Sequence, residues 1–297
     1  MIRLFSLVAL LVPFTSLTAG QVSFDNRGDD IIVSIDGKEF SRYHTSTEWK
    51  KPYFHPVLID GTDITRPIDP NQKEHPHHKG IWVSVDEVNE IDYWGEKGDI
   101  VNKSVKTKTH DDGSGTLLVV NHWVDAAGKP VVIESTEIHI APNRLLTYDI
   151  SFNTPGQDVE FLDTKEGLLG FRMAESMKEE AGGKVLSAEG VEGARPNWGK
   201  HHKWIDYYGE VEGKTFGVTL MDHPKNPYPS RYHVRWYGLF SISPFGEKAY
   251  TNGKEDAKPL HLKAGETFKI RYGIYFHTGD TNQGEVAQAY RQFLSRE

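Results

Sequence analysis

Residues 268–277 read Phe-Lys-Ile-Arg-Tyr-Gly-Ile-Tyr-Phe-His, and this stretch indicates the fold class. Successive side chains of a β-strand point to opposite faces of the sheet, so residues two apart share a face. Every second position of the stretch is apolar or aromatic: Phe268, Ile270, Tyr272, Ile274 and Phe276. This alternation predicts a β-strand that buries one face in a core.

Similar apolar runs recur along the chain with turn residues between them. The alternating residues 31–35 precede Asp36-Gly37, a strong signal for a hairpin turn. Other strands are predicted at 116–124, 131–140, 145–152, 216–221 and 232–242. Many short strands at this spacing are typical of an all-β sandwich. We therefore expect residues 21–297 to form one large two-sheet antiparallel β-sandwich domain.

One stretch near the C-terminus predicts a short α-helix. The residues spaced for a single apolar helix face are Val286, Tyr290, Phe293 and Leu294. Asn282 and Glu285 stand where a helix start is commonly capped.

The first 20 residues have the pattern of a secretory signal peptide. A short positive start is followed by an apolar run from Leu4 to Val12 and by small residues ending at Ala19-Gly20. The apolar run is too short to cross a bilayer comfortably, and no other long apolar run follows it. We expect residues 1–20 to be cleaved, and the mature protein to be periplasmic or secreted without a membrane span.

The composition excludes several classes of function. The chain has no cysteine, which rules out disulfides, thiolate metal sites and cysteine nucleophiles. Its formal net charge is −8, and no basic face that would bind nucleic acid is recognisable. Aromatic residues make up 11% of the chain, which is compatible both with sugar stacking and with an all-β core.

The segment 74–82, Glu-His-Pro-His-His-Lys-Gly-Ile-Trp, is the leading candidate for chemistry. Proline favours extended geometry in the residue before it, so His75 and His77 are expected on one side and His78 on the other. Imidazoles this close can transfer protons or ligate a metal near neutral pH. The alternative is a surface cluster or a set of hydrogen-bonded core histidines.

A second candidate segment lies at 222–238. His223 and Asn226 belong to its proline-rich start, which leads into a predicted strand with Arg231, His233 and Arg235 on one face. Such a face would form a cationic wall, unless it is simply a solvated sheet face.

Three further stretches carry single candidates. Glu166 lies in Asp163–Gly167 and is followed by Arg172, and Trp198 stands in a basic segment. Glu134 interrupts an apolar strand, where a buried carboxylate needs a partner or a raised pKa. It is either a general base or an outward-facing strand residue.

Several of these motifs together resemble the bacterial PmoA-like family. The resemblance rests on His-Pro-His-His-Lys-Gly-Ile-Trp at 75–82, on 88–94, and on 163–167, 204–207, 222–224 and 233–239. Glu74, Lys79 and Ser84-Val85 depart from the usual family residues, and the last departure removes one family histidine. The resemblance implies an exported β-sandwich similar to the galactose-mutarotase-like supersandwich and associated with sugar catabolism. The family's methane-oxygenase label would require several membrane spans, which this sequence lacks.

The first functional hypothesis is a carbohydrate-active enzyme, a hydrolase, lyase or epimerase, that acts on a glycan fragment without a cofactor. The candidate acid–base residues are His75, His77, His78, Glu166 and Glu134. The candidate substrate-binding residues are Arg172, His223, Asn226, His233, Arg235, Trp82, Trp94 and Trp198. The alternatives are a non-catalytic sugar-binding module and a divalent-metal protein whose ligands are His75, His77 or His78 together with His223 and a carboxylate, with His75, His77 and His223 the leading set. These hypotheses depend on the segments near residues 76 and 234 meeting in one cleft.

Overall fold

A computed structural model describes residues 20–296. The predicted signal peptide therefore lies outside the described residues, apart from Gly20. None of the helices in the described part has the length and apolar character that a membrane crossing needs.

Within this range the chain forms 21 strands and a few short helices. The first strands are β1 (Val22–Arg27), β2 (Asp30–Ile35), β3 (Lys38–His44), β4 (Tyr53–Ile59), β5 (Thr62–Asp63), β6 (Ile81–Val83), β7 (Glu87–Val88) and β8 (Ile91–Asp92). The next are β9 (Asp99–Thr109), β10 (Gly115–Val124), β11 (Pro130–Ile140), β12 (Leu145–Asn153), β13 (Val159–Phe161), β14 (Leu169–Arg172) and β15 (Lys184–Ser187). The last are β16 (Trp204–Val211), β17 (Lys214–Asp222), β18 (Arg231–Val234), β19 (Leu239–Ser243), β20 (Leu260–Leu262) and β21 (Thr267–Thr278).

The helices are α1 (Ala194–Asn197), α2 (Glu247–Tyr250) and α3 (Val286–Ser295), and two 3₁₀ turns span Glu175–Met177 and Glu179–Ala181.

Two large antiparallel sheets and one small sheet organise these strands. The nine-stranded sheet runs β1-β2-β3-β4-β6-β14-β19-β18, with β5 paired to β4. The eight-stranded sheet runs β15-β16-β17-β21-β12-β11-β10-β9, and the four-stranded sheet runs β20-β13-β7-β8. The predicted all-β, two-sheet antiparallel sandwich with a short C-terminal helix is confirmed.

The core lies between the inner faces of the two large sheets. On β21 every predicted inward residue is buried, from Phe268 to Phe276. The neighbouring β12 pairs with it in register, so that Ile150 lies opposite Ile270 and Tyr148 opposite Tyr272. Burial of such a face is the dominant favourable contribution to folding, because it removes a large apolar area from water.

The hairpin predicted at Asp36-Gly37 joins β2 to β3. Both residues have positive φ, 53° and 72°, as a two-residue turn between twisted strands requires. Glycine adopts this conformation without strain, and aspartate tolerates it better than most residues.

The C-terminal helix α3 covers the outer face of the eight-stranded sheet. Val286, Ala289 and Phe293 are buried against Leu145 and Met221. The expected apolar face is therefore shifted, because Leu294 is 36% exposed and Ala289 takes its place. The predicted side-chain cap is wrong: Glu285 occupies the cap position in a left-handed conformation and makes no capping hydrogen bond.

The single strand predicted for 232–242 is divided by a tight turn. Arg235 donates its backbone N–H to the carbonyl of Leu239, and Gly238 donates to the carbonyl of Arg235. Arg235 therefore lies in the turn between β18 and β19 rather than on a strand face beside His233. The predicted three-residue cationic wall does not form, because Arg231 pairs with Glu247 instead, at 2.8 Å.

Candidate functional site

The histidine segment is a turn and not an extended strand. The backbone N–H of His78 donates to the carbonyl of His75 at 3.1 Å, and His75 has a φ of 49°. The expected alternation of the three side chains is therefore wrong. The reversal of the chain at Pro76-His77 brings the three imidazoles together instead of separating them.

A buried arginine holds this turn in place. The guanidinium of Arg66 donates to the carbonyl oxygens of Glu74, His75 and His78 at 3.1, 2.6 and 3.1 Å. Hydrogen bonds from a charged donor are about twice as strong as neutral ones, so three of them fix the backbone firmly.

The three imidazole rings pack against one another. The ring of His75 lies parallel to that of His78 at 4.7 Å, and His77 meets His78 edge-on at 4.4 Å. One nitrogen from each ring lies within 4.8 Å of the other two, so these residues could hold a metal ion. The other face of the His75 ring is stacked on Tyr237 at 5.4 Å.

Three carboxyl groups face the histidines across a cavity of about 250 Å³. They are Asp86, Asp92 and Glu166, and the aromatic residues Trp94 and Tyr237 complete the walls. Backbone pairing positions the carboxyls: Asp86 donates its N–H to the carbonyl of Glu166, and Tyr93 donates to that of Asp86. The cavity therefore joins segments near 76, 90, 166 and 237.

Among the three carboxyl groups, that of Asp86 keeps its proton up to near neutral pH. Burial raises the pKa of Asp86 to about 7, and the negative charges of Asp92 and Glu166 add to the effect. Like charges in one site disfavour full ionisation, which is why one carboxyl of such a group stays protonated longest.

The imidazole wall is neutral at the same pH. Burial lowers the pKa of His77 to about 4, assisted by the positive charge of Lys51. Burial, and then the charge of Arg172, also lowers the pKa of His75, and the pKa of His78 lies well below its ordinary value. A protonatable carboxyl thus faces unprotonated imidazoles across a space that a small ligand can enter.

A buried charge group supports the cavity from behind Trp94. Glu96 accepts from Lys51 at 2.9 Å and from Lys79 at 2.6 Å, and Lys51 also donates to the carbonyl of Trp94. Burial lowers the pKa of Lys51 to about 8, against the opposing attraction of Glu96.

Arg172 and Arg235 lie beside the cavity wall rather than in the cavity lining. Their guanidinium carbons are 5.0 and 5.3 Å from the centre of the Tyr237 ring. Arg172 also donates to Glu175 at 3.1 Å. Both arginines therefore act on the cavity through Tyr237, a residue that the sequence analysis did not single out.

His233 lies just behind Glu166. Its Nδ1 is 3.0 Å from the carbonyl oxygen of Lys165 and 3.7 Å from a carboxylate oxygen of Glu166. Burial lowers the pKa of His233, although the charge of Glu166 opposes this shift. The ring is only 1% exposed, so it orients its neighbours and does not meet a ligand directly.

The three candidate tryptophans differ in their access to the cavity. Trp94 lines it. Trp82 is buried under the ring of His78, at 5.3 Å, so its stacking role is corrected: no sugar can reach its face. Trp198 packs edge-on against His233 at 6.1 Å and supports the site from outside.

Glu134 lies in the core and not in the cavity. Its carboxylate accepts hydrogen bonds from Trp123 Nε1 at 2.8 Å, Thr136 Oγ1 at 2.7 Å and Asn121 Nδ2 at 3.3 Å. Burial raises its pKa, while the three donors partly restore the charged form. The interpretation as a general base is corrected, because this carboxyl group is 2% exposed and committed to three interior donors.

His223 and Asn226 line a different cavity, of about 450 Å³. Asn226 donates to Asp222 and to the carbonyl of Arg271, and it accepts the backbone N–H of Arg271. His223 packs edge-on against Phe293 of α3 at 5.4 Å. The expected metal set of His75, His77 and His223 is therefore corrected, because the third imidazole beside the first two is that of His78.

Asp86 and Asp92 were grouped with the histidines on sequence alone, because they stand just downstream of them, but neither was assigned a role in catalysis or binding. The structure places both in the cavity lining. Arg66 and Tyr237 gave no recognisable signal: the contacts of Arg66 depend on how the loop after it folds back, and Tyr237 meets His75 from far along the chain.

Fold and cavity define the molecule as an all-β sandwich protein with a histidine–carboxyl cavity, built in the described residues from the segments that precede β6 and β14, from β8 and from the turn between β18 and β19. A family model described as "Family of unknown function (DUF6807)" matches residues 30–291, and the chain belongs to this family. The predicted membership of the PmoA-like family is therefore wrong. A comparison with curated protein sequences finds no match.

Several solved structures are similar to this chain at low identity. An α-galactosidase from Geobacillus stearothermophilus in complex with raffinose is 9% identical over 93% of this chain and 44% of its own, with a TM-score of 0.49. A galactose 1-epimerase from Lactobacillus acidophilus is 9% identical over 88% and 99%, with a TM-score of 0.42. A putative aldose 1-epimerase from Escherichia coli K12 is 10% identical over 88% and 100%, also with a TM-score of 0.42.

The chain spans less than half of the α-galactosidase that it resembles. Likeness at these scores carries no inference about activity.

Proposed function

We propose that the protein is a carbohydrate-active enzyme and that the histidine–carboxyl cavity is its active site. The observation that carries the proposal is the meeting of three imidazoles and three carboxyl groups around one cavity of about 250 Å³. A space of this size admits a sugar ring, and the carboxyl groups of Asp86, Asp92 and Glu166 in its lining can hydrogen-bond to sugar hydroxyl groups. Carboxylates are common partners of such hydroxyl groups.

The chemistry we propose is acid–base catalysis at the bound sugar. Asp86 donates the proton, because a general acid works best with a pKa near the working pH. Glu166 or an unprotonated group on the histidine wall accepts a proton on the other side of the ligand. Hydrolysis, elimination and epimerisation all need this pairing of an acid with a base, so the reaction must be identified by experiment.

The test is a glycan panel followed for all three reactions, with wild type beside His77→Ala and Asp86→Asn. We expect turnover of at least one sugar by wild type and a loss of about 100-fold or more in each variant. The matched control is His261→Ala, whose side chain is 63% exposed outside the cavity. Turnover at the wild-type rate in both cavity variants would remove the cavity from the reaction.

A non-catalytic sugar-binding module predicts a different result. Such a module would bind a sugar in calorimetry and return it unchanged. A binding site does not require three imidazoles facing a protonated carboxyl group, and this arrangement favours catalysis.

We also propose that the enzyme is exported. The support is the predicted signal peptide at residues 1–20. Fractionation of expressing cells and N-terminal sequencing test this proposal. A cytoplasmic product that retains Met1 would contradict it.

A further inference from the structure

We propose that His75, His77 and His78 bind one divalent transition-metal ion in the cavity. The binding of the ion is inferred from the structure of the histidine turn and does not depend on the proposed function. The catalytic role of the ion rests on the proposed function.

The spacing of the ring nitrogens suits such an ion. One nitrogen from each ring lies within 4.8 Å of the other two. Zinc bound to histidine at about 2.0–2.1 Å places neighbouring ligand nitrogens roughly 3.3 Å apart, so the ring nitrogens need to approach by at most about 1.5 Å. Because the His75 ring is parallel to the His78 ring, it must tilt out of this stack to direct its lone pair at the ion.

The hydrogen bonding of His78 points to a missing ligand. Its ring is 3% exposed, and neither ring nitrogen has a hydrogen-bond partner among the described residues. Buried polar atoms in folded proteins are almost always satisfied, and each unsatisfied one costs free energy. A metal ion would satisfy the nitrogen that faces the other two imidazoles.

The turn is preorganised for binding. Arg66 fixes the carbonyls of Glu74, His75 and His78, so little backbone entropy is lost when the imidazoles converge. A site whose backbone is already ordered binds more tightly than one that must fold around its ligand.

The charges around the cavity also permit a cation. The positive charges of Arg66 and Arg172 act on His75 and His78 and oppose a further positive one. Asp86, Asp92 and Glu166 offset them, because all three line the same cavity as the histidines. Three imidazoles with a free coordination position facing the carboxyls form the donor set of a catalytic, rather than a purely structural, site.

This assignment refines the proposed reaction. With the imidazoles serving as ligands, the base opposite Asp86 would be a hydroxide ion on the free coordination position. A bound divalent ion would lower the pKa of a water molecule there to near neutrality, the proton of that water would leave to a carboxylate or to solvent, and the hydroxide that remains would accept a proton from the substrate or attack it.

The experiment uses the whole mature protein without an affinity tag. Bound metal is first removed with EDTA, and the EDTA is then removed by dialysis. Zn²⁺ is titrated by calorimetry, and Co²⁺ is followed by its visible absorption. We expect one equivalent of either ion and the intense bands of a tetrahedral Co²⁺ site. His77→Ala and His75→Ala should each weaken Zn²⁺ binding by about 100-fold or more. His261→Ala should bind as wild type does.

Failure of the wild-type protein to bind one equivalent of Zn²⁺ or Co²⁺ would overturn the metal site. This result does not depend on whether the variants fold. Equal binding by wild type and both cavity variants would overturn it too. Full turnover by the stripped enzyme would reject the catalytic ion and keep the proposed function. Stoichiometric binding without turnover of any sugar would reject the proposed function and keep the site.

Discussion

At the scale of single residues, burial decides which carboxyl groups are available for chemistry. Glu166 and Asp86 line the cavity, whereas Glu134 is enclosed by three interior donors. All three are acidic residues near apolar sequence, so residue type alone does not separate them. The difference lies in what surrounds each carboxyl group after folding.

The raised pKa of Asp86 predicts a specific pH dependence of stability. The folded protein keeps a proton on Asp86 up to about pH 7, whereas in the unfolded chain it leaves near the ordinary value of 3.8. Stability from this group is therefore complete below about pH 4 and declines as the pH rises towards 7. Asparagine carries no titratable proton, so the Tm of Asp86→Asn relative to wild type should rise by about 5 °C between pH 4 and pH 8, after the full effect is reduced for solvent screening of this half-buried carboxyl group.

This prediction is checked by thermal melts in EDTA, which keeps any metal from contributing. The control is Asp111→Asn, at an exposed position in a turn. A constant difference in Tm between Asp86→Asn and wild type across the pH range would show that Asp86 ionises normally.

Glu134 is predicted to stabilise the fold and to take no part in turnover. Glu134→Ala leaves Trp123, Thr136 and Asn121 without their acceptor and should lower the free energy of unfolding by about 3 kcal/mol. Glu137→Ala on the same strand, with a side chain 42% exposed, should cost less than about 1 kcal/mol. Urea unfolding measures both. A Glu134→Ala protein that keeps its stability and loses turnover would return Glu134 to the catalytic residues.

At the scale of elements, a tight turn carries the candidate chemistry. Its histidines come from a four-residue segment that local propensity places in an extended conformation. Arg66 overrides this preference by binding three carbonyls of the turn. The function of the segment thus depends on a side chain at the start of the same connection between β5 and β6.

Arg66→Met is predicted to release the turn. Methionine keeps an apolar stem and removes the five donors, so three carbonyls lose a charged partner, at a cost of about 3 kcal/mol. Zn²⁺ affinity should fall at least about 10-fold because the imidazoles are no longer held together. Arg42→Met, which removes a 42% exposed arginine paired with Glu39, is the control and should change neither quantity much. Unchanged histidine ring signals in NMR of Arg66→Met would contradict the role of Arg66.

At the scale of the whole molecule, the segment at 222–238 is divided between two cavities. His223 and Asn226, at its start, do not share the cavity of the three histidines. The segment near 234 does reach the histidines, through the stacking of Tyr237 on His75. His223 and Asn226 instead connect β17 and β21 beneath α3. The histidine–carboxyl cavity therefore contains the cluster of ionisable groups. The cavity at His223 and Asn226 lies where hydrogen bonds connect strands of the eight-stranded sheet.

Substitutions at the second cavity are predicted to act on stability and not on the histidine site. Asn226→Ala removes three hydrogen bonds and should cost about 2 kcal/mol, measured by urea unfolding. His223→Ala should leave Zn²⁺ affinity within about 2-fold of wild type, since His223 is no ligand in the proposed site. A 100-fold weaker Zn²⁺ affinity in His223→Ala would show that the two regions communicate.

Local pattern was enough to predict most of the β architecture. The strand at 268–276 and the hairpin at Asp36-Gly37 follow from period-two alternation and from the conformational freedom of two turn residues. The misplaced helix face has a physical reason as well. Ala289 is buried and Leu294 is exposed because the sheet under the helix determines which face of the helix is covered. The helix sequence alone does not contain that information.

The sequence by itself also determined which side chains were available: three histidines within four residues, carboxylates nearby and no cysteine. Only the tertiary structure decided that His78 joins the other two rings, that Glu134 is enclosed in the core and that His223 lies in another cavity. Strand periodicity depends on neighbours along the chain, whereas the cavity depends on contacts between residues tens to more than a hundred positions apart. Such contacts exist only after the sheets have packed.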